Sequence, residues 1–265
     1  MRGRTKLVSL STVIMILLSA SMVFASGVVD VSKISLLGAE PMSPGTTVFV
    51  DPSVIIKDYY NDPGYQIGNT FLVHVNISEV TNLFSYQVNV TWSPAMLNFT
   101  GVWAYGDFLA RTGSSYGTSR IEKIYIASNV TGYASIAETI LGDVPGITGN
   151  GRLFTIQFKV VGYGSTMINI GVAGTLPTTL LDSTEPPSSI SFTTASCYFR
   201  NALRGDVNLD RTVDVSDVLK VVSCRSGPPP GPGGYDRNVD INDDTFIDVS
   251  DLLIVVANRG RTVPP

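Results

Sequence analysis

Hydrophobic and polar residues alternate with a period of two along most of this chain. Phe71, Val73, Val75 and Ile77 fall on one side of an extended segment, His74 and Asn76 on the other. Tyr86, Val88, Val90 and Trp92 alternate with Gln87, Asn89 and Thr91, and Phe154, Ile156, Phe158 and Val160 with Thr155, Gln157 and Lys159. Such alternation marks strands with one buried face. Residues 47–50, 97–102, 123–128, 133–140, 167–172 and 189–200 read the same way. Turn signals separate them at Asp62-Pro63-Gly64, Gly142-Asp143, Gly149-Asn150-Gly151 and Gly162-Tyr163-Gly164. Residues 106–111 read as a loop or one helical turn, and no long helical period interrupts the series. The pattern predicts a mainly β domain over residues 46–200: about nine strands in an antiparallel sandwich, two sheets face to face.

The pattern changes at both ends. Arg2, Arg4 and Lys6 precede an apolar run from Leu7 to Phe24, broken only by small Ser and Thr, with Val23 and Ala25 at the −3 and −1 positions of a cleavage site. Residues 1–25 therefore read as a secretory signal peptide, and 26–45 as a linker. A retained membrane anchor is the alternative, although the run is short and Ser-rich for a span. The expected location is extracellular, with surface association through partners.

After residue 200 a twelve-residue pattern occurs twice, at an offset of 34 (240 − 206). Asp206, Asn208, Asp210, Asp214 and Asp217 hold positions 1, 3, 5, 9 and 12, and Asp240, Asn242, Asp244, Asp248 and Asp251 repeat them. This is the spacing of the EF-hand loop, in which oxygen ligands alternate along a turn and the last carboxylate comes from the start of a helix. Thr212 and Phe246, at position 7, would lend backbone carbonyls, and Asp214 and Asp248 would act through water. Without a cation the aspartates of each loop repel one another. Two calcium ions are the expected cofactors; magnesium prefers a tighter octahedral shell. Position 12 is Asp rather than the bidentate Glu, and position 6 is Arg211 or Thr245 where a sharp turn favours glycine. Helices are predicted over 215–223 and 249–258, with Val218, Leu219, Val222, Leu252, Leu253 and Val256 packing as a tiny core and any exposed ones forming a partner face. No convincing helix precedes either loop.

Composition narrows the function. The chain has 265 residues and a net charge of −4, with no Lys/Arg cluster of the kind nucleic acid requires. No Gly-x-Ser-x-Gly, His-Glu-x-x-His or phosphate loop occurs, and the one histidine, His74, sits on a polar strand face. The reading is a non-enzyme. Asn76, Asn89, Asn98 and Asn129 begin Asn-x-Ser/Thr sequons on faces expected to be exposed, which makes the chain a candidate glycoprotein. Cys197 and Cys224 either pair or stand as two separate buried thiols.

Two families now come into view. Gly68-Asn69-Thr70-Phe71, the stretch from Asn82 to Trp92, Leu97-Asn98-Phe99-Thr100-Gly101-Val102, and the stretch from Gly151 to Val160 resemble a cohesin domain over about 45–200. That resemblance implies a nine-stranded jelly-roll sandwich that binds dockerin modules on a flat sheet face. The loop-helix repeat over 204–260 resembles a dockerin of type I-like form, a family in which Asp at position 12 is usual. It implies that Val213 and Ile247, at position 8, pair the two loops, and that Val215-Ser216 and Val249-Ser250, at positions 10 and 11, help contact a cohesin. A core this small is marginal alone, so calcium should supply much of its folding energy.

The expected protein is thus an extracellular adaptor of a cohesin–dockerin assembly, linked to polysaccharide degradation. Its partners would be cohesin- or dockerin-bearing proteins, with self-association and polysaccharide as further options and nucleic acid excluded. The alternative is a carbohydrate-binding sandwich anchored through its dockerin, with Trp103 and Tyr105 as stacking platforms and Trp92 in the core.

Overall fold

The computed structural model describes residues 45–109, 120–171, 177–226 and 233–264, with backbone alone at 102–103 and 120–125. The signal peptide assigned to 1–25 and nearly all of the linker at 26–45 lie outside the described residues. Among the described residues eleven strands occur: β1 (Thr47–Asp51), β2 (Val54–Asp58), β3 (Thr70–Thr91), β4 (Leu97–Tyr105), β5 (Arg120–Ser128), β6 (Tyr133–Ile140), β7 (Ile147–Val160), β8 (Ser165–Ile170), β9 (Thr179–Asp182), β10 (Thr193–Ala195) and β11 (Cys197–Ala202). Two helices follow, α1 (Val215–Cys224) and α2 (Val249–Asn258).

The strands differ from the nine expected for physical reasons: two expected runs merge, one splits and two short strands are added. The two alternating runs at 71–77 and 85–92 belong to one strand, β3. Its inward residues shift from odd to even numbers through Ile77, Val80, Leu83 and Tyr86, each buried. Three-residue steps replace two-residue ones because Glu79 (φ 54°) and Asn82 (φ 61°) take left-handed backbone conformations. Each absorbs one extra residue as a bulge and bends the strand without turning an apolar side chain outward. Gly149-Asn150-Gly151, expected as a turn, lies inside β7 opposite this bend. Gly149 pairs Val80, Gly151 pairs Ile77, and Asn150 Oδ1 accepts the Glu79 N–H at 2.6 Å. The run at 189–200 splits into β10 and β11, and β2 and β9 are short strands whose composition gave little signal.

The bent β3 belongs to both layers. Its first half lies between β1 and β7, giving the order β10–β1–β3–β7–β4. Its second half pairs β6 on one side and β9 and β8 on the other, so the opposite layer runs β2–β11–β8–β3–β6–β5. Most pairings are antiparallel, as expected, but β1–β10 and β2–β11 are parallel. Aromatic side chains join the layers: Phe71 stacks on Phe199 at 4.9 Å, Trp92 meets Phe158 edge-on at 4.9 Å, and Tyr86 lies over Phe154. Trp92 is a core residue, as its register predicts.

Beyond β11 a second, smaller core forms around Leu203, Val207, Val213, Val221, Val239, Ile247 and Val255. Tyr59 and Tyr163 of the sandwich pack against it, so the C-terminal module is seated on the sandwich. Among the described residues no helix is long and apolar enough to cross a membrane.

Candidate calcium loops and interaction faces

The two Asp/Asn loops fold alike. In the first, Asp206 Oδ1 accepts the Asp210 N–H (3.1 Å) and Oδ2 the Arg211 N–H (2.8 Å). In the second, Asp240 Oδ1 and Oδ2 accept from Asp244 (3.1 Å) and Thr245 (2.9 Å). Asn208 and Asn242 Oδ1 each accept the N–H of the aspartate at position 5, and Asp210 and Asp244 Oδ1 each accept the N–H of position 7, from Thr212 and Phe246. These short side-chain-to-backbone bonds wind each loop tightly. Leu209, Arg211, Asp243 and Thr245 all have positive φ, at 63°, 77°, 60° and 73°. The strain expected at position 6 is therefore present, most of all at β-branched Thr245. Arg211 is tethered outside its loop, donating from Nη1 to the Pro264 carbonyl at 2.7 Å.

Each loop closes on its own helix. Asp214 and Asp248, at position 9, are the N-caps of α1 and α2 and accept from the N–H of Ser216 and Ser250 at 2.7 Å. Asp217 and Asp251 complete the capping boxes: their Oδ2 atoms accept the N–H of Asp214 (2.8 Å) and Asp248 (3.0 Å). Their Oδ1 atoms reach back to the loop start, where Asp217 accepts from Val207 and Asn208 and Asp251 from Ile241. Val213 and Ile247 are fully buried but do not pair with each other through the backbone, contrary to the expectation from resemblance. Val213 instead bonds Gly260 and Arg261 after α2, and Ile247 bonds Ser226 after α1. The two halves are exchanged end for end, so each loop is closed by the tail of the other helix.

The donor chemistry accepts a hard dication. Asp206, Asp217, Asp240 and Asp251 are at most 1% exposed, and none is ion-paired by Lys or Arg among the described residues. Burying such carboxylates without a counter-charge is costly. Burial pushes Asp206 upward, the nearby Asp217 and Asp210 charges add to this, and the Tyr163 hydroxyl and Arg211 N–H oppose it. The carboxylates do not converge as a bare acidic cluster: among the described residues no three Asp, Glu, His or Cys side chains gather at metal-holding geometry. Asp210, Asp244, Asn208, Asn242 and the carbonyls of Thr212 and Phe246 are the remaining donors, and oxygen-only sets of carboxylates and carbonyls suit calcium.

The helices present a face that sequence periodicity assigned to the core. Leu219, Val222, Leu253 and Val256 are 53–64% exposed, as are Val215 and Val249. Val221, Cys224 and Val255 are buried in their place, with Val218 and Leu252 half-buried. Apolar residues occur on both sides of each helix, so spacing alone left the choice of inward stripe open. Val215, Leu219 and Val222 on α1, and Val249, Leu253 and Val256 on α2, stand at i, i+4 and i+7 and form two equivalent apolar ridges.

The seat of the module on the sandwich is polar. Arg261 grips Asp58 at the end of β2 through two 2.8 Å bonds, and Tyr60 donates to the Thr262 carbonyl at 2.7 Å. Arg204, Tyr60 and Asn61 add backbone N–H donors to Asp58. Buried Arg200 of β11 donates to the carbonyls of Leu203 and Asp206. Burial raises the Asp58 pKa, but Arg261 and the backbone donors outweigh it and hold the group at about 2, down from 3.8. A depressed pKa stabilises the fold above the unfolded value and loses that contribution as pH falls toward the folded one. The stability gap between the native chain and Asp58→Asn is expected to be about 2 kcal/mol above about pH 5 and nearly gone at about pH 2. Thermal unfolding of both across that range checks this; a gap independent of pH contradicts it. Sequence reasoning missed Asp58, Tyr163 and Arg261. They lie far apart in the chain and belong to no motif.

Several other expectations meet the structure here. Asn89 is only 2% exposed, because residues 177–179 cover that face of β3: Gln87 donates to the Pro177 carbonyl and the Asn89 N–H to Thr178. A glycan on Asn89 is incompatible with this packing. Asn76 and Asn98 are half-buried, and Asn129 is exposed but bridges the N–H and carbonyl of Phe99 at 2.7 and 2.9 Å. Cys197 and Cys224 are free and lie in separate cores. His74 is half-buried and bonds Thr155 on β7 at 2.9 Å. Tyr105 packs against the core with its hydroxyl on the Ala137 carbonyl, so its ring is not a free platform. The Trp103 side chain lies outside the described residues.

Comparison with known proteins addresses the sandwich. The model of the cohesin domain family matches residues 61–189. Similar solved structures include a non-cellulosomal cohesin from the hyperthermophilic archaeon Archaeoglobus fulgidus (17% identity, 60% of this chain and 91% of that one, TM-score 0.41). A type II cohesin domain from the cellulosome of Acetivibrio cellulolyticus shares 15% identity over 59% of this chain and 95% of its own, with a TM-score of 0.44. A cohesin in a type II cohesin–X-dockerin complex from the same organism shares 17% identity over 58% and 97%, with a TM-score of 0.42. No curated protein matches the chain. The family match thus falls on the sandwich, over residues 61–189.

Proposed function

We propose that this chain is a secreted, non-catalytic adaptor with an interaction module at each end of its folded region. The cohesin domain is the receptor for a dockerin-type partner. The C-terminal module is itself a dockerin-type plug that holds two calcium ions: Asp206, Asn208, Asp210, Asp217 and the Thr212 carbonyl at one, and Asp240, Asn242, Asp244, Asp251 and the Phe246 carbonyl at the other. Asp214 and Asp248 act through water. The observation that carries the reading is the duplication itself. Two loops with the same side-chain-to-backbone bonds lead into two helices with the same capping box and the same three exposed apolar positions. The extracellular site, the link to polysaccharide-degrading assemblies and head-to-tail association with further copies belong to the same reading.

The test is capture of purified cohesin modules by the immobilised full chain, in calcium and in chelator. Leu219→Asp and Leu253→Asp place charge on the exposed ridges without entering the core. Together they should reduce capture at least a hundredfold while leaving the melting temperature within a few degrees. Undiminished capture by the double variant, or capture that survives chelator, overturns the plug reading.

A further inference from the structure

The position-1 aspartates show an asymmetry within the duplication. Each gives its Oδ2 atom to the N–H of position 6 and also to a tyrosine hydroxyl. Asp240 takes its hydroxyl from Tyr235, five residues earlier, at 2.8 Å. Asp206 takes its own from Tyr163, which stands in the turn between β7 and β8 of the sandwich. The Tyr163 oxygen also accepts the Leu203 N–H at 2.9 Å, fixing the chain that leads into the loop. Its ring packs on Tyr59 at 5.5 Å and under the Arg211 guanidinium at 5.3 Å.

We propose that the first loop is a composite site, completed by the sandwich. Tyr163 is the positioning residue that orients Asp206 for calcium, so ion capture at this loop and seating of the module on its own sandwich are linked. The second loop takes the tyrosine partner of its position-1 aspartate from within the module, from Tyr235. This rests on the calcium reading above. By reciprocity, whatever loosens the seat weakens the first ion, and the first ion tightens the seat. Loss of an outer hydrogen-bond partner of a metal ligand typically lowers affinity about 10- to 100-fold.

Calcium titration of the full chain by calorimetry tests this, with Tyr163→Phe, Tyr235→Phe and Arg261→Gln. Arg261 lies in neither loop. The native chain should take up two ions. Tyr163→Phe and Arg261→Gln should each weaken one ion at least tenfold and leave the other unchanged. Tyr235→Phe should weaken the other ion alone, and the Tyr163→Phe/Tyr235→Phe double variant should weaken both. Calcium should also slow amide exchange at residues 58–62 and 162–164 in the native chain but not in Tyr163→Phe. Two ions with unaltered affinities in Tyr163→Phe overturn the composite site and leave calcium binding intact. A native chain that binds no ion overturns the calcium reading instead.

Discussion

Asp217→Ala is expected to unfold the C-terminal module while the sandwich stays folded. The Asp217 carboxylate is fully buried and accepts three backbone N–H groups, from Val207, Asn208 and Asp214. It therefore ties the start of the loop to the first turn of α1. Alanine removes the acceptor of all three donors and orphans the Val207 N–H in the interior. A hydrogen bond to a charged group is worth about 1.5–3 kcal/mol and orphaned buried groups add to the loss, so the total is about 3–5 kcal/mol. The small core cannot absorb this, because a module of this size has little stability to lose. The helical signal in far-ultraviolet circular dichroism should disappear, whereas the near-ultraviolet signal of core Trp92 should persist. Retention of both helices in Asp217→Ala without calcium contradicts this account of the loop. Asp251→Ala should act the same way through Ile241 and Asp248.

Phe158→Ala should have a comparable effect on the sandwich. Phe158 is fully buried on β7, meets Trp92 edge-on at 4.9 Å and lies 6.0 Å from Phe71, which in turn stacks on Phe199. The substitution removes the ring at the centre of this inter-layer cluster and leaves a cavity that rigid strands on both sides cannot close. Losses of about 3–5 kcal/mol are typical of such truncations. Urea unfolding followed by tryptophan fluorescence should show the midpoint falling with the slope unchanged. A loss under about 1 kcal/mol contradicts the assignment of this cluster as the core of the fold.

The sandwich was legible in the sequence because its strands bury one face each. Phe71, Val73, Val75 and Ile77, and then Tyr86, Val88 and Val90, are all inward as the alternation predicts. Alternation could not reveal that both runs belong to one strand. That depends on left-handed turns at Glu79 and Asn82, neither of which is glycine. Nor could it show that Gln87 and Asn89 are buried, since a covering segment from residues 177–179 supplies their environment. The duplication of the two loops was legible because its repeated Asp and Asn residues are local, within twelve residues in each copy. The inward face of α1 and α2 was not, because Val222 and Val221 are neighbours of equal apolarity and only tertiary packing separates them. The seat was illegible for a different reason. Asp58 and Arg261 are 203 positions apart, and an ion pair at that separation leaves no periodic trace.

The duplicated loops are proposed to hold calcium. Native mass spectrometry of the full chain, in excess calcium and after chelation, addresses this most directly. Two ions per chain, both removed by chelator, is the predicted result. A chain that remains ion-free in excess calcium contradicts it.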